Sequence, residues 1–165
     1  MEINIFTDGS TLNNQVKGNR NGGSGVFFSD NDIRNMKIPL KETKNFKVTN
    51  QVAELLACIK GIEQILDDKS IDKIIICTDS MYTINSMTKW AKKWEKNNWV
   101  NSKGKTVENL ELIKQLYNYT TNRNISYKHI RAHKTKPSKL SEDYYYWYGN
   151  YMADKLAVEA AKSIS

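Results

Sequence analysis

Two short strings in this chain nearly repeat one another. The apolar run Ile3-Asn4-Ile5-Phe6 is followed by Thr7-Asp8-Gly9-Ser10, and the apolar run Ile74-Ile75-Ile76-Cys77 by Thr78-Asp79-Ser80. Each places a carboxylate just past a strand-like segment. The second run is apolar without alternation, the pattern of a strand buried on both faces in a parallel sheet. Ligands of open α/β sheets bind in the crevice outside the carboxyl ends of the strands. Two neighbouring strands ending in aspartate would therefore aim both acids into one cleft. Like charges a few Å apart need a proton, a basic partner or a divalent cation between them.

The rest of the chain supplies the layers for such a sheet. Residues 2–8 alternate as a first strand, and residues 12–23, rich in Asn and Gly, read as a loop. Short strands are expected at Gly25–Ser29 and Asn35–Leu40, with a third extended segment near Asn45–Val48. Thr49 and Asn50 are N-cap candidates for a helix marked by Val52, Leu55, Leu56, Ile59, Ile62 and Leu66. Lys73–Thr78 is the buried strand. Helices are expected from Ser80 or Met81, over Val107–Thr120 and over Gly149–Ala161, with a last strand at Ile125–Arg131. Lys134–Tyr148 has no assignable pattern: it opens basic and ends in Tyr144-Tyr145-Tyr146-Trp147-Tyr148. Strands first, then alternating helix and strand, describe one mixed sheet flanked by helices, an α/β fold.

At 165 residues the chain suits a single domain with a sizeable core. No apolar run approaches the roughly 18 residues of a membrane span, and the sequence opens on a strand pattern without a charged-then-apolar leader. Cys58 and Cys77 sit in apolar runs without metal-ligand spacing, as buried free thiols of a reducing, intracellular compartment would. A monomer is expected.

Two further acids join Asp8 and Asp79. Glu54 shares a helical stripe with Cys58, Gly61 and Ile65, which are small or apolar, so the stripe faces protein and its one charge needs a partner. Asp154 lies in register with Ala157, Val158 and Ala161. Each acid has an ordinary alternative. Asp8 could make a turn, Asp79 could cap the next helix, and Glu54 and Asp154 could complement helix dipoles. Together they put four acids at strand ends and helix starts, which share one edge of an open sheet. Oxygen donors without a Cys or His cluster suit Mg²⁺ or Mn²⁺ and not zinc. Several carboxylates around paired hard cations suit two-metal phosphodiester cleavage. His133, just past the last strand, is placed for proton transfer. His129, within that strand, reads as structural.

The formal net charge of +7 favours a polyanionic partner. Most of it lies in residues 89–105, where Lys89, Lys92, Lys93, Lys96, Lys103 and Lys105 face Glu95 alone. Trp90, Trp94 and Trp99 fall in the same stretch. Basic residues interleaved with rings suit a nucleic-acid backbone, bound without sequence preference. An amphipathic helix whose tryptophans fill core is the alternative.

Read in order, the strings Thr7-Asp8-Gly9-Ser10, Thr49-Asn50-Gln51-Val52-Ala53-Glu54-Leu55, Thr78-Asp79-Ser80-Met81-Tyr82, Trp90-Ala91-Lys92-Lys93-Trp94, His133 and Asn150-Tyr151-Met152-Ala153-Asp154 resemble type 1 ribonuclease H over nearly the whole chain. The resemblance implies the RNase H-like fold, a five-stranded mixed sheet flanked by helices, in a single catalytic domain over 1–165 with a basic protrusion about 89–106. It implies endonucleolytic cleavage of the RNA strand of RNA–DNA hybrids, leaving 5′-phosphate and 3′-hydroxyl ends. It makes Asp8, Glu54, Asp79 and Asp154 the ligands of two Mg²⁺ ions, with Mn²⁺ as an alternative, and His133 a mobile loop base. It assigns Asn14, Asn50, Gln51 and Met81 to the RNA minor groove, where 2′-hydroxyls distinguish RNA from DNA. Thr49 and Asn109 would hold a DNA phosphate, and Tyr82 and Trp90 would pack on DNA sugars. Trp94, Lys92, Lys93 and Lys96 belong to the protrusion, and Asn150 keeps its place four residues before Asp154.

Two departures stand out. Ala132 replaces the family's usual glycine before the histidine, and an aromatic-rich insertion, about 134–148, precedes the final helix. The insertion is expected to cover the active-site edge and either add substrate contacts or slow product exit. A separate N-terminal hybrid-binding module is not expected. The four acids argue against a binding module without catalysis. A resolvase or exonuclease of the same broad fold, or a domain of a polymerase polyprotein, are the remaining alternatives.

Overall fold

The computed structural model describes residues 1–12, 18–131 and 135–164. Five strands form one sheet: β1 (Glu2–Thr11), β2 (Asn21–Phe27), β3 (Met36–Lys41), β4 (Lys73–Thr78) and β5 (Ile125–His129). Their order is β3-β2-β1-β4-β5. The β1–β2 and β2–β3 pairs are antiparallel, and β1–β4 and β4–β5 are parallel. This is the expected mixed sheet.

Alternation along β1 divides the core. Ile5 points to one face with Val26, Ile74 and Ile76, against α1 (Asn50–Glu63) and α4 (Leu110–Asn122). Phe6 points to the other with Phe27, Cys77 and Ile130, against α5 (Asp143–Lys162). Each fully buried Ile or Leu on these faces contributes about 1.5–3 kcal/mol. Thr49 caps α1 as expected, its hydroxyl accepting from the Val52 amide at 3.1 Å. Both cysteines are buried and free. Among the described residues no helix is long and apolar enough to cross a membrane.

Several boundaries differ from the sequence reading. β2 begins at Asn21, inside the stretch read as loop, and α5 lies directly on its Gly23 and Gly25. A Cβ on Gly25 would stand 2.2 Å from the Ala153 carbonyl oxygen, so only a side-chain-free strand admits the helix. Asn45–Val48 forms no strand; an isolated bridge, Thr43 to Phe46, holds the turn there. α4 starts at Leu110 instead of Val107, because Asn109 takes a left-handed backbone with φ 57°. β5 stops at His129, which is exposed at the strand end and not a structural core residue. The segment after Ser80 is α2 (Met81–Asn85), a π-helical turn at Ser86–Trp90 and α3 (Ala91–Lys96).

The largest difference is α5. It begins at Asp143, so the five consecutive aromatics are helical and precede the expected start. Tyr145 and Tyr146 pack on Phe6 at ring distances of 5.4 and 6.3 Å, and Tyr148 packs on Phe27 at 5.9 Å. Those rings lie on the sheet face formed by Phe6 and Phe27. Gly149 presses on the Phe6 ring, where a Cβ would come within 2.4 Å.

Candidate active site

Asp8 lies inside β1, since that strand runs on to Thr11 against β2. On the other side, the last parallel pair with β4 is Phe6 with Cys77. Asp8 therefore stands beyond the end of the parallel pairing, as does Asp79, the residue after β4. Glu54 reaches the same place from α1 because Gly9 lets the helix touch the strand. A Cβ on Gly9 would stand 2.5 Å from the Glu54 amide nitrogen and 2.7 Å from the Ala53 Cβ. The Ser24 hydroxyl pins that turn, donating to the Ala53 carbonyl at 2.6 Å.

The result is a cluster: Asp8, Glu54 and Asp79 each offer a carboxylate oxygen within 4.8 Å of the others. Asp154 joins from α5, its carboxyl close enough to that of Asp8 to help push the latter up. The ordinary alternatives for these acids fall away. Ser80, not Asp79, caps α2, its hydroxyl accepting from the Thr83 amide at 3.1 Å. Asp154 stands three turns into α5, far from any N-terminal dipole.

The electrostatics say what is missing between these groups. Asp8 is 5% exposed. Burial, then the charge of Asp79 and the contact with Asp154, hold its carboxyl far above the usual carboxylate range. Burial pushes Glu54 up to about 7, opposed by the Ser80 hydroxyl and aided, more weakly, by the charge of Asp79. Cations at this spot would relieve both, and an all-oxygen donor set fits a hard divalent ion.

Thr49, Asn50 and Gln51 form the exposed or half-exposed start of α1 beside this edge, with the Thr11 hydroxyl donating to Asn50 at 2.9 Å. Met81 is exposed at the start of α2. The Asn109 amide donates to the Tyr82 hydroxyl at 3.1 Å. Thr49, Gln51 and Asn109 line one pocket with Arg20, Lys47 and Glu108. Trp90 packs between Tyr82 (6.4 Å) and Trp94 (5.9 Å). The protrusion divides the two readings of its tryptophans: Trp94 and Trp99 pack partly against the main core, whereas Trp90 is exposed beside Lys92, Lys93 and Lys96. The Asn150 side-chain oxygen is buried without a hydrogen-bond partner one turn before Asp154. His133 and Asn14 lie outside the described residues.

Three residues escaped the sequence reading. Ser80 had a signal, its place directly after Asp79. Arg20 and Glu42 had none, being 22 residues apart and joined only when Asn21 pairs with Lys41. Arg20 grips the buried Glu42 at 3.0 Å, and Glu42 also accepts from the Val48 amide at 2.9 Å. These bonds hold its carboxyl down at about 2 and fix the pocket wall next to Thr49.

Four carboxylates gathered at the carboxyl edge of a mixed α/β sheet define a domain of the class that could hold a hard divalent cation there. The chain belongs to the RNase H family, whose model it matches over residues 1–162. It is 36% identical over 157 residues to ribonuclease H of Schizosaccharomyces pombe, covering 95% of this chain and 52% of that protein. With human ribonuclease H1 the identity is 35% over 158 residues, covering 96% and 49%. The chain thus spans about half the length of these two curated relatives. Its fold resembles that of LC9-RNase H1, a type 1 RNase H, with a TM-score of 0.73 at 24% identity, covering 99% of this chain and 74% of that one.

Proposed function

We propose that this chain is a ribonuclease H that hydrolyses the RNA strand of RNA–DNA hybrids, without sequence preference, leaving 5′-phosphate and 3′-hydroxyl ends. The observation that carries this reading is the convergence of Asp8, Glu54, Asp79 and Asp154 from two strands and two helices. When bound among these carboxylates, two Mg²⁺ ions (or Mn²⁺) supply an activated water and neutralise charge at the scissile phosphate. The protein's own part is to hold four oxygen ligands in fixed positions on rigid elements and to keep Asp8 from solvent. His133, four residues past the end of β5 in sequence, moves a proton or helps product leave. Asn14, Asn50, Gln51, Met81 and Asn150 face the RNA strand. Thr49, Asn109 and the cations Arg20 and Lys47 take a DNA phosphate. Tyr82, Trp90 and the protrusion lysines hold the DNA strand, as exposed cations on a polyanion would. The chain works as a monomer.

The test is incubation of labelled hybrid, double-stranded RNA and double-stranded DNA, each with Mg²⁺ and with EDTA. Cutting of the hybrid's RNA strand alone, and only with Mg²⁺, is expected. Equal cleavage of the other duplexes, or cleavage in EDTA, would overturn the reading.

A further inference from the structure

The start of α5 carries rings that the core does not use. Tyr146 and Tyr148 pack with the Phe6 and Phe27 cluster. Tyr144, Trp147 and Tyr151 recur at i, i+3 and i+7 on the outward side and belong to no core cluster. Trp147 stacks on Tyr151 at 5.3 Å with an interplanar angle of 13°, and lies 5.7 Å from Tyr144. Tyr151 is 49% exposed. A solvated helix face has no need of three large rings.

Cations surround this ladder. Residues 125–141 contain five Lys or Arg and no Asp or Glu. Lys136 lies over the Trp147 ring at 5.7 Å, and Lys128 over the Tyr146 ring at 4.4 Å. Between β5 and α5 runs a groove of about 390 Å³, walled by Lys128 and Arg131 on one side and Tyr146 and Trp147 on the other. Glu142 and Asp143 are its acidic members, at the helix start. One lining residue ties the groove to the strand that ends at Asp79: the Ile130 amide donates to the Thr78 carbonyl at 2.9 Å.

Cations set opposite large rings, as Lys128 and Arg131 stand opposite Tyr146 and Trp147, are how proteins track a single strand, rings against bases and cations against phosphates. We propose that this groove and ladder bind a single-stranded nucleic-acid segment that continues from the hybrid in the active site. The inference rests on the nuclease reading only for where that strand comes from. Affinity for it is measured without cleavage, so the two can fail separately.

The experiment compares binding of a blunt hybrid with hybrids carrying a DNA or an RNA tail, by anisotropy in EDTA, alongside free oligo-dT and oligo-U. A tail of either or both kinds is expected to tighten binding about tenfold. That gain should disappear in Trp147→Ala and in the double variant Lys128→Glu/Lys136→Glu, with blunt-hybrid affinity unchanged in both. The lysines are exposed, so the second variant decides the matter if Trp147→Ala fails to fold. The proposal is overturned if no tail tightens binding, if the gain survives the lysine variant, or if it is lost instead in Lys92→Glu/Lys93→Glu/Lys96→Glu. It is equally overturned if Trp147→Ala only abolishes self-association seen by sedimentation. A tail gain in a protein that cuts no hybrid would sink the nuclease reading and leave this one standing.

Discussion

The carboxylate cluster and the basic protrusion are built on opposite principles. The cluster is set into the core: its acids are buried or half-buried, sit on or directly after the sheet's strands and flanking helices, and are pressed together by a glycine with no room for a side chain. The protrusion is a set of short pieces, the end of a π-helical turn, a six-residue helix and a loop closed by the Val100–Thr106 bridge, with its lysines in solvent. The cluster concentrates like charge at a cost to the metal-free fold, as sites of chemistry do. The protrusion spreads charge where water screens it, so no single lysine carries the interaction. Chemistry is therefore expected to be brittle to one substitution, and binding to be graded.

The sharpest break of that contrast is Asp8→Asn. Cleavage should fall on the order of 10³-fold or more, while hybrid affinity in EDTA changes by no more than about twofold, since the phosphates are held elsewhere. The same variant should stabilise the metal-free protein near pH 7 by about 1–2 kcal/mol. The sign follows from the raised carboxyl. Between its ordinary value of 3.8 and its elevated native value, the folded state binds a proton that the unfolded state does not, so wild-type stability falls as pH rises through that window. The gain should vanish below about pH 4, where both states are protonated. Mg²⁺ should raise the wild-type melting temperature and leave that of the variant unmoved. Full activity in Asp8→Asn would dissolve the distinction between the two regions.

Gly9→Ala probes the contact that assembles the cluster. The added methyl meets the Glu54 amide and the Ala53 side chain, so a loss of about 1–3 kcal/mol in denaturant unfolding is expected. Turnover should drop further than stability explains, because Glu54 must shift. Wild-type turnover in a folded Gly9→Ala protein would mean that the strand–helix contact does not position the acid. The smallest effect belongs to the protrusion. Reversing Lys92, Lys93 and Lys96 to Glu should weaken hybrid binding about tenfold at low salt and flatten its salt dependence, with cleavage at saturating hybrid nearly intact. An unchanged salt slope would remove the protrusion from the binding account.

Much of this was legible in the residues. The buried run Ile74–Cys77, the alternation of β1 and the capped periodicity of α1 each express a local preference that tertiary packing reinforced. The four acids were legible for the same reason: each sits where a local pattern makes a charge anomalous. What could not be read depended on partners distant in sequence. Asn21–Ser24 resembles a loop until α5 covers Gly23, and the aromatic run has no visible period because its rings face two environments, Phe6 and Phe27 on one side and solvent on the other. Arg20 and Glu42 look like ordinary surface charges until two strands pair.

By itself, then, the chain's order of residues determined which segments are strands and helices in the sheet's centre, and which acids are chemically out of place there. Both are short-range statements about side-chain period and the cost of burying charge. Only the tertiary structure decided how closely those acids meet, where α5 begins, how the protrusion's helix is broken and which cations join the pocket at Thr49 and Asn109. Those outcomes depend on contacts between residues tens of positions apart, where steric fit at a glycine or a shared strand register settles what local preference leaves undetermined.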